Sequence, residues 1–263
     1  MTAGTPGRSA VDSGPRERSP LAHVPGLDGL RGIALLGVLL FHAGHLDGAF
    51  LSLDLFFVLS GFLITALLLR EWDERGSIDL RRFWSRRARR LLPAVLVVIP
   101  AVSLYAAVQF DPASLHRFRG DALSTLAQVA NWREIATGTD YWKAYASPSP
   151  LRHAWSLSLE EQLYVLWPVG LLAGLRVGRY LRRGRRPVTA ATAIAVIGSA
   201  FLLGHFAAAG DLTRAYYGTD TRSYAVLLGG LAALLLATHP RGPTGPSGRT
   251  LERLALPAAA LLA

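Results

Sequence analysis

The sequence has no cysteine and only one lysine, Lys143, in 263 residues. Without cysteine there is no disulfide framework, thiolate nucleophile, iron–sulfur cluster or cysteine-ligated zinc. Charge is scarce as well. Asp, Glu, Lys and Arg make up 17% of the chain, where a water-soluble domain carries about 25%. With 51% hydrophobic residues and a mean hydropathy of +0.30, the deficit points to lipid as the main solvent. The remaining charge is one-sided: 28 basic against 18 acidic residues give a net charge of +10, and arginine dominates it. Such an excess marks either nucleic acid binding or the cytoplasmic loops of a membrane protein, and its placement separates the two.

Residues 1–25 are rich in Pro, Gly, Ser and Arg and contain no apolar h-region, so they read as a disordered cytoplasmic tail and not a signal peptide. Apolar windows follow at 27–43, 49–69, 91–110, 155–175, 188–210 and 223–238, with a last one starting near 254. A hydrocarbon core of about 30 Å needs about 20 helical residues, and windows 91–110 and 188–210 reach that length without one Asp, Glu, Lys or Arg. Six or seven such runs leave too little polar sequence to cover a soluble core. The expected fold is therefore all-α, a polytopic transmembrane helical bundle of six to seven spans.

Segment 70–90 holds eight arginines and 176–187 holds six, whereas 211–222 holds only Arg214 and Arg222, balanced by Asp211 and Asp220. The positive-inside rule places 70–90, 176–187, 239–253 and the N-terminus in the cytoplasm, with 44–49 and 211–222 outside. This predicts a multi-pass plasma-membrane protein in contact with the bilayer. Because the arginines cluster at span ends instead of forming a stripe, no nucleic acid partner is expected. Parity keeps 111–154 outside, with the short apolar stretch 120–132 either interfacial or re-entrant. The chain ends at Ala263, about ten residues into its last window. Since a half-spanning helix leaves backbone groups unpaired in hydrocarbon, residues 26–263 read as a transmembrane domain incomplete at its C-terminus.

Ionisable groups inside spans cost about 2.5–3.5 kcal/mol each, which makes them functional candidates. Arg31 and His42 are eleven residues apart and share a face of the first span. A tight hairpin through 44–48 brings Asp54 of the second span to the depth of His42, a candidate pair in which the carboxylate fixes the imidazole tautomer. The alternatives are an interfacial histidine and an arginine that snorkels. Arg87 and Arg90, at i and i+3 where the third window begins, form a paired guanidinium site suited to phosphate, in competition with a purely topological basic cluster. Segment 152–169 gathers His153, Trp155, Ser156, Ser158, Glu160, Glu161 and Gln162 at the entry of a span. Helix capping is the plain reading of its two glutamates.

Taken in order, the segments LDGLRGIALLGVLLFH (27–42), LDLFFVLSGFLI (53–64), RRARRLLPA (86–94), HAWSLSLEEQLYVLWP (153–168) and DTR (220–222) resemble the integral-membrane acyltransferase family 3. The resemblance implies an enzyme that moves an acyl group, acetyl foremost, from cytoplasmic acyl-CoA to a hydroxyl of a carbohydrate, cell-wall or secondary-metabolite acceptor at the outer face. Acyl-CoA is then a substrate; no bound cofactor and no metal is expected. The resemblance also implies that Arg31, Arg87 and Arg90 hold the donor, that His42 with Glu160, or else His153, carries the chemistry, and that Trp155, Ser156, Ser158, Asp220 and Arg222 serve the acceptor side; the orienting role of Asp54 rests on the matched depth alone. His42 acts either as general base or as transient acyl carrier. A different class, a transporter or channel lined by Arg31, His42, Asp54 and Glu160, predicts no dependence on acyl-CoA. Oligomeric state and acceptor identity are not encoded in any of these motifs.

Overall fold

The computed structural model describes residues 25–45, 48, 51–138 and 149–238. Nine helices and no strand occur among them: α1 (Pro25–His42), α2 (Ser52–Arg75), α3 (Leu80–Gln109), α4 (Pro112–Leu126), α5 (Ala130–Ala136), α6 (Ala154–Tyr180), α7 (Arg186–Ala208), α8 (Leu212–Tyr217) and α9 (Thr219–Thr238). The expected tail 1–25 (but for Pro25), loop 239–253 and window near 254 lie outside the described residues.

Local chemistry sets the boundaries. Gly76, in the left-handed region at φ 68°, closes α2 by donating its N–H to the Trp72 carbonyl. Three residues later the Asp79 carboxylate accepts the Arg82 N–H and starts α3. This short reversal forces α3 back alongside the helices it has just left. Asp111 caps α4 in the same way, with Pro112 at the first helical position.

Cross-helix pairs give the directions. Along α2, Ser60, Thr65 and Gly76 meet Glu160, Trp167 and Arg179 of α6 in rising order, so the two helices are parallel. Asp54 meets Arg222 and Gly61 meets Val226, so α9 runs the same way. Helix α7 is antiparallel: Ser199 touches the start of α9, while Arg185, preceding α7, bonds the Ala237 carbonyl near its end. Helix α3 is antiparallel to α6, with Trp84 bonded to the Tyr164 carbonyl and Arg87 to Glu161. Asn131 of α5 bonds to Tyr217 and Thr219, which puts α5 and α8 where α6 and α9 begin. The arginine-rich turns after α2 and α6 lie at the opposite end.

Helix α6 is the hub. Its Trp167, Leu171 and Leu175 join Leu68, Phe83, Val188 and Leu234 in the largest core cluster. Trp155, Leu159 and Leu163 join Phe57, Tyr217 and Val226 in a second. Helices α2 and α9 cross with backbones nearly touching: a Cβ on Gly61 would overlap the Val226 carbonyl, and one on Gly229 the Val58 carbonyl.

Among the described residues, four helical segments are long and apolar enough to cross a membrane: Ser52–Arg75, Leu80–Gln109, Arg186–Ala208 and Leu212–Ala237. That is fewer than the six or seven apolar windows predict. Helix α1 has an apolar run of only Gly29–Phe41, and α6 carries four charges, of which Glu160 and Glu161 are half-buried against α2 and α3 while Arg176 and Arg179 are exposed. The stretch 120–132 is not one segment; it is split between α4 and α5 by a turn in which Gln128 adopts φ 56°. The Arg133–Asp121 ion pair, at 2.7 Å, holds the two pieces together.

Candidate active site at the meeting of helices α2, α3 and α6

Neighbouring residues on a helix point about 100° apart, so Glu160 and Glu161 address different partners. Glu160 turns to α2, where its Oε1 accepts the Ser60 hydroxyl at 2.5 Å, and on its own helix it accepts the Tyr164 hydroxyl at 2.6 Å. Glu161 turns to α3 and accepts from Arg87, whose Nε lies 2.9 Å from Oε1 and whose Nη2 bonds the same oxygen. Arg87 Nη2 also lies 3.6 Å from Glu160 Oε2, and the guanidinium stacks over the Tyr164 ring at 3.8 Å. The Trp84 indole donates to the Tyr164 carbonyl and fixes α3 against α6 at this level. Two carboxylates thus share one guanidinium inside a helical bundle, an arrangement that keeps buried charge paired. The cluster is not sealed: the Arg87 and Glu160 side chains retain 19% and 20% of their surface.

A second cluster joins α2 to α9. Arg222, 5% exposed, lies 2.8 Å from Asp54 through Nη2 and faces the Tyr216 ring at 5.1 Å. The Tyr224 hydroxyl donates to the other Asp54 oxygen at 3.0 Å. Next to it, Asp220 pairs with Arg214 at 2.6 Å, and its carbonyl accepts the Ser199 hydroxyl. The Arg214 guanidinium also lies over the Trp132 and Phe206 rings, at 5.0 and 4.8 Å from their centroids.

A third, neutral network fastens the elements around both clusters. The Gln162 amide donates to the Gln128 carbonyl and Asn131 Oδ1, and its oxygen accepts from Thr219 and Trp132. Asn131, fully buried, donates in turn to the Tyr217 carbonyl and the Thr219 hydroxyl.

The residues singled out in the sequence divide accordingly. Glu160 and Arg87 come together although the arginine distribution sets them at opposite faces. The α2–α3 turn is so short that Arg87, two turns into α3, already lies within the bundle, while Arg90 is exposed. Asp54 is engaged by Arg222 and Tyr224; the His42 side chain lies outside the described residues, and the candidate His42–Asp54 pair with it. Arg31 is half-buried on α1, and His153 is exposed at the N-cap of α6. Trp155 packs on the Tyr216 and Tyr217 rings at 4.9 and 5.2 Å. Ser156 bonds the His153 carbonyl, and buried Ser158 accepts the Ala130 N–H, so the described contacts of both are local or structural. Ser60, Tyr164 and Tyr224 were invisible to sequence reasoning, because neutral hydroxyls in apolar runs carry no burial penalty large enough to mark them.

The chain matches the family model described as an acyltransferase domain over residues 24–238. It is 42% identical over 216 residues to YrhL of Bacillus subtilis (strain 168), provisionally named a peptidoglycan O-acetyltransferase, across 81% of this chain and 33% of that protein. The peptidoglycan O-acetyltransferase OatA of Listeria monocytogenes is 37% identical over 226 residues, across 85% of this chain and 36% of its own length. The chain therefore spans about a third of the length of these curated relatives. No solved structure matches it significantly. Since the family match takes in every described helix and contains both charged clusters, the chain belongs to the acyltransferase domain family.

Proposed function

We propose that this chain is the membrane-embedded acyl-transfer unit of an O-acetyltransferase. It takes an acetyl group from acyl-CoA at its arginine-rich end and delivers it to a hydroxyl of a carbohydrate or cell-wall acceptor at the other end. The observation that carries this reading is the Ser60–Glu160–Tyr164–Arg87–Glu161 cluster, a set of proton-transfer groups and a cation built from three helices and open on one side. Relatives named for O-acetyl transfer to peptidoglycan support the hydroxyl acceptor.

Within this reading the roles follow from placement. Arg90 and the other exposed arginines near the α2–α3 and α6–α7 turns meet the CoA phosphates, since paired guanidinium forks suit phosphate. Arg87, committed to Glu161, contributes charge at the reacting carbonyl instead. Arg31 supports the donor from α1. His42, at the end of α1, takes the proton of the acceptor hydroxyl or carries the acyl group. Asp54, Arg222 and Asp220, with Trp155, Ser156 and Ser158, shape the acceptor side. The N-terminus is cytoplasmic in this reading, which the clustering of arginines at one end of the bundle supports.

The test is acetyl transfer by the protein in proteoliposomes, with labelled acetyl-CoA and a chitooligosaccharide or muropeptide acceptor. The expected result is CoA release with label on the acceptor, lost in His42→Ala at unchanged protein level. Absence of CoA release by the wild type over a range of acyl donors would refute the reading and leave a transport role.

A further inference from the structure

Hydroxyls within these helices ordinarily bond backwards along their own helix. Thr65 donates to the Gly61 carbonyl and Thr192 to the Val188 carbonyl, each four residues back, which satisfies the hydroxyl and leaves it inert. Ser60, one turn before Thr65, does not. It donates across to another helix, onto the carboxylate of Glu160 at 2.5 Å. That carboxylate is in turn oriented, by the Tyr164 hydroxyl on the same oxygen and by Arg87 beside the other. Arg87 is itself locked by Glu161 and by the Tyr164 ring. A hydroxyl on a carboxylate base, with that base held by a third group, is the geometry of an activated serine nucleophile. Arg87 uses Nε and Nη2 on the glutamates, and among the described residues Nη1 has no acceptor, so one donor is free for a developing oxyanion.

Position adds a second argument. Ser60 lies six residues, about 9 Å, along α2 from Asp54 and fifteen residues, about 22 Å, from Arg75 at the arginine-rich end. Acyl-CoA is polyanionic and stays at one face, while the acceptor is reached at the other, so the acyl group alone must pass through the bundle. A covalent station between the ends meets that need.

We propose that Ser60 is an acyl carrier: it receives the acyl group from a thioester donor as a serine ester and yields it to the acceptor hydroxyl, with Glu160 as its base. In the first step Ser60 Oγ attacks the thioester carbonyl. The O–C bond forms, the C–S bond breaks, Glu160 keeps the serine proton, and the thiolate leaves and is protonated by water. In the second step the acceptor oxygen attacks the ester carbonyl and the bond to Oγ breaks. The acceptor proton goes to His42, Glu160 returns its proton to Oγ, and His42 releases its proton to solvent. The sum is thioester plus alcohol giving ester plus thiol. This rests on the acyltransferase reading above and gives His42 the base role, not the carrier role.

The test uses the protein in proteoliposomes with acetyl-CoA labelled in the acetyl group, quenched in acid and mapped by peptide mass spectrometry. The expected result is acetyl on the Ser60 peptide of the wild type, accumulating in His42→Ala, and transfer reduced by at least about 10³-fold in Ser60→Ala. Because the chain has no cysteine, Ser60→Cys introduces a unique thiol and converts the adduct from an ester to a thioester cleaved by neutral hydroxylamine. Glu160→Gln should slow adduct formation by about 10²–10⁴-fold. Full acetyl transfer by Ser60→Ala, or turnover without any adduct on Ser60 in wild type and His42→Ala, would overturn the carrier role while leaving the acyltransferase reading intact. Failure of the wild type to release CoA at all would instead bring down that reading.

Discussion

Asp54 and Arg222 show how a charged pair can be both costly and necessary. Arg222 is buried, Asp54 is half-buried, and each needs the other: loss of one partner from a fully buried pair strands the remaining charge at about 3–5 kcal/mol, an upper bound for this one, while replacing both by apolar residues of similar size is near neutral. Arg222→Ala is therefore expected to be strongly destabilising in detergent-unfolding titrations, and the double change Asp54→Leu with Arg222→Met to recover most of that loss. Equal instability of single and double variants would mean that the pair is not the source of the cost. Arg222 stood out in the sequence only through the DTR segment (220–222), whereas Asp54 and Glu160 were legible because ionised side chains in apolar helices are conspicuous. Their partners were not, since Ser60, Tyr164 and Tyr224 look like ordinary span residues until the helices are brought together. Arg87 was singled out in the sequence but set at the wrong level, because charge statistics assign it to the cytoplasmic end and only the length of the α2–α3 turn shows that it meets Glu161 within the bundle.

Helix identity was read more securely than helix role. The apolar windows located α2, α3, α7 and α9, whose hydrophobic runs are uninterrupted. They could not show that α6 buries one face, with Leu159, Leu163, Trp167 and Leu171, in the two largest core clusters and leaves Val165, Leu166 and Val169 exposed, since that depends on which helices pack against it. Gly61 and Gly170 make this testable. Gly61 stands at the contact with α9, and Gly170 has nothing within 4 Å of an added Cβ. Gly61→Val should lose about 1–3 kcal/mol through overpacking, and Gly170→Ala should be neutral or gain up to about 1 kcal/mol, both measured as unfolding midpoints in the same detergent. At the start of α4, hydrogen bonds from Ser114 and Ala113 hold the Asp111 carboxyl below its ordinary range. Its capping contribution is thus present above the usual carboxylate pKa and is lost as pH falls through the lowered value. Hydrogen exchange in the first turn of α4 should speed up in acid for the wild type, and Asp111→Asn should remove that pH dependence.

For the molecule as a whole, the directions of the helices bring the two arginine-rich turns to one end and α4, α5 and α8 to the other. The absence of cysteine makes the sidedness directly measurable. Ser77→Cys, in the exposed turn after α2, should be shielded in intact cells from a membrane-impermeant maleimide, and Ala113→Cys, at the exposed start of α4, should react. The reverse pattern would invert the proposed orientation. One consequence concerns biogenesis. The Asp54–Tyr224 contact joins residues 170 positions apart in the chain, and synthesis at about 5–20 residues per second separates their emergence by roughly 10–30 s. During that interval α2 must wait in the insertion machinery or the bilayer with Asp54 unmatched and its glycine face uncovered. Assembly of the Asp54–Arg222–Tyr224 cluster is therefore among the late events of synthesis, and a chain interrupted before α9 would present quality-control proteases with an unpaired carboxylate in lipid.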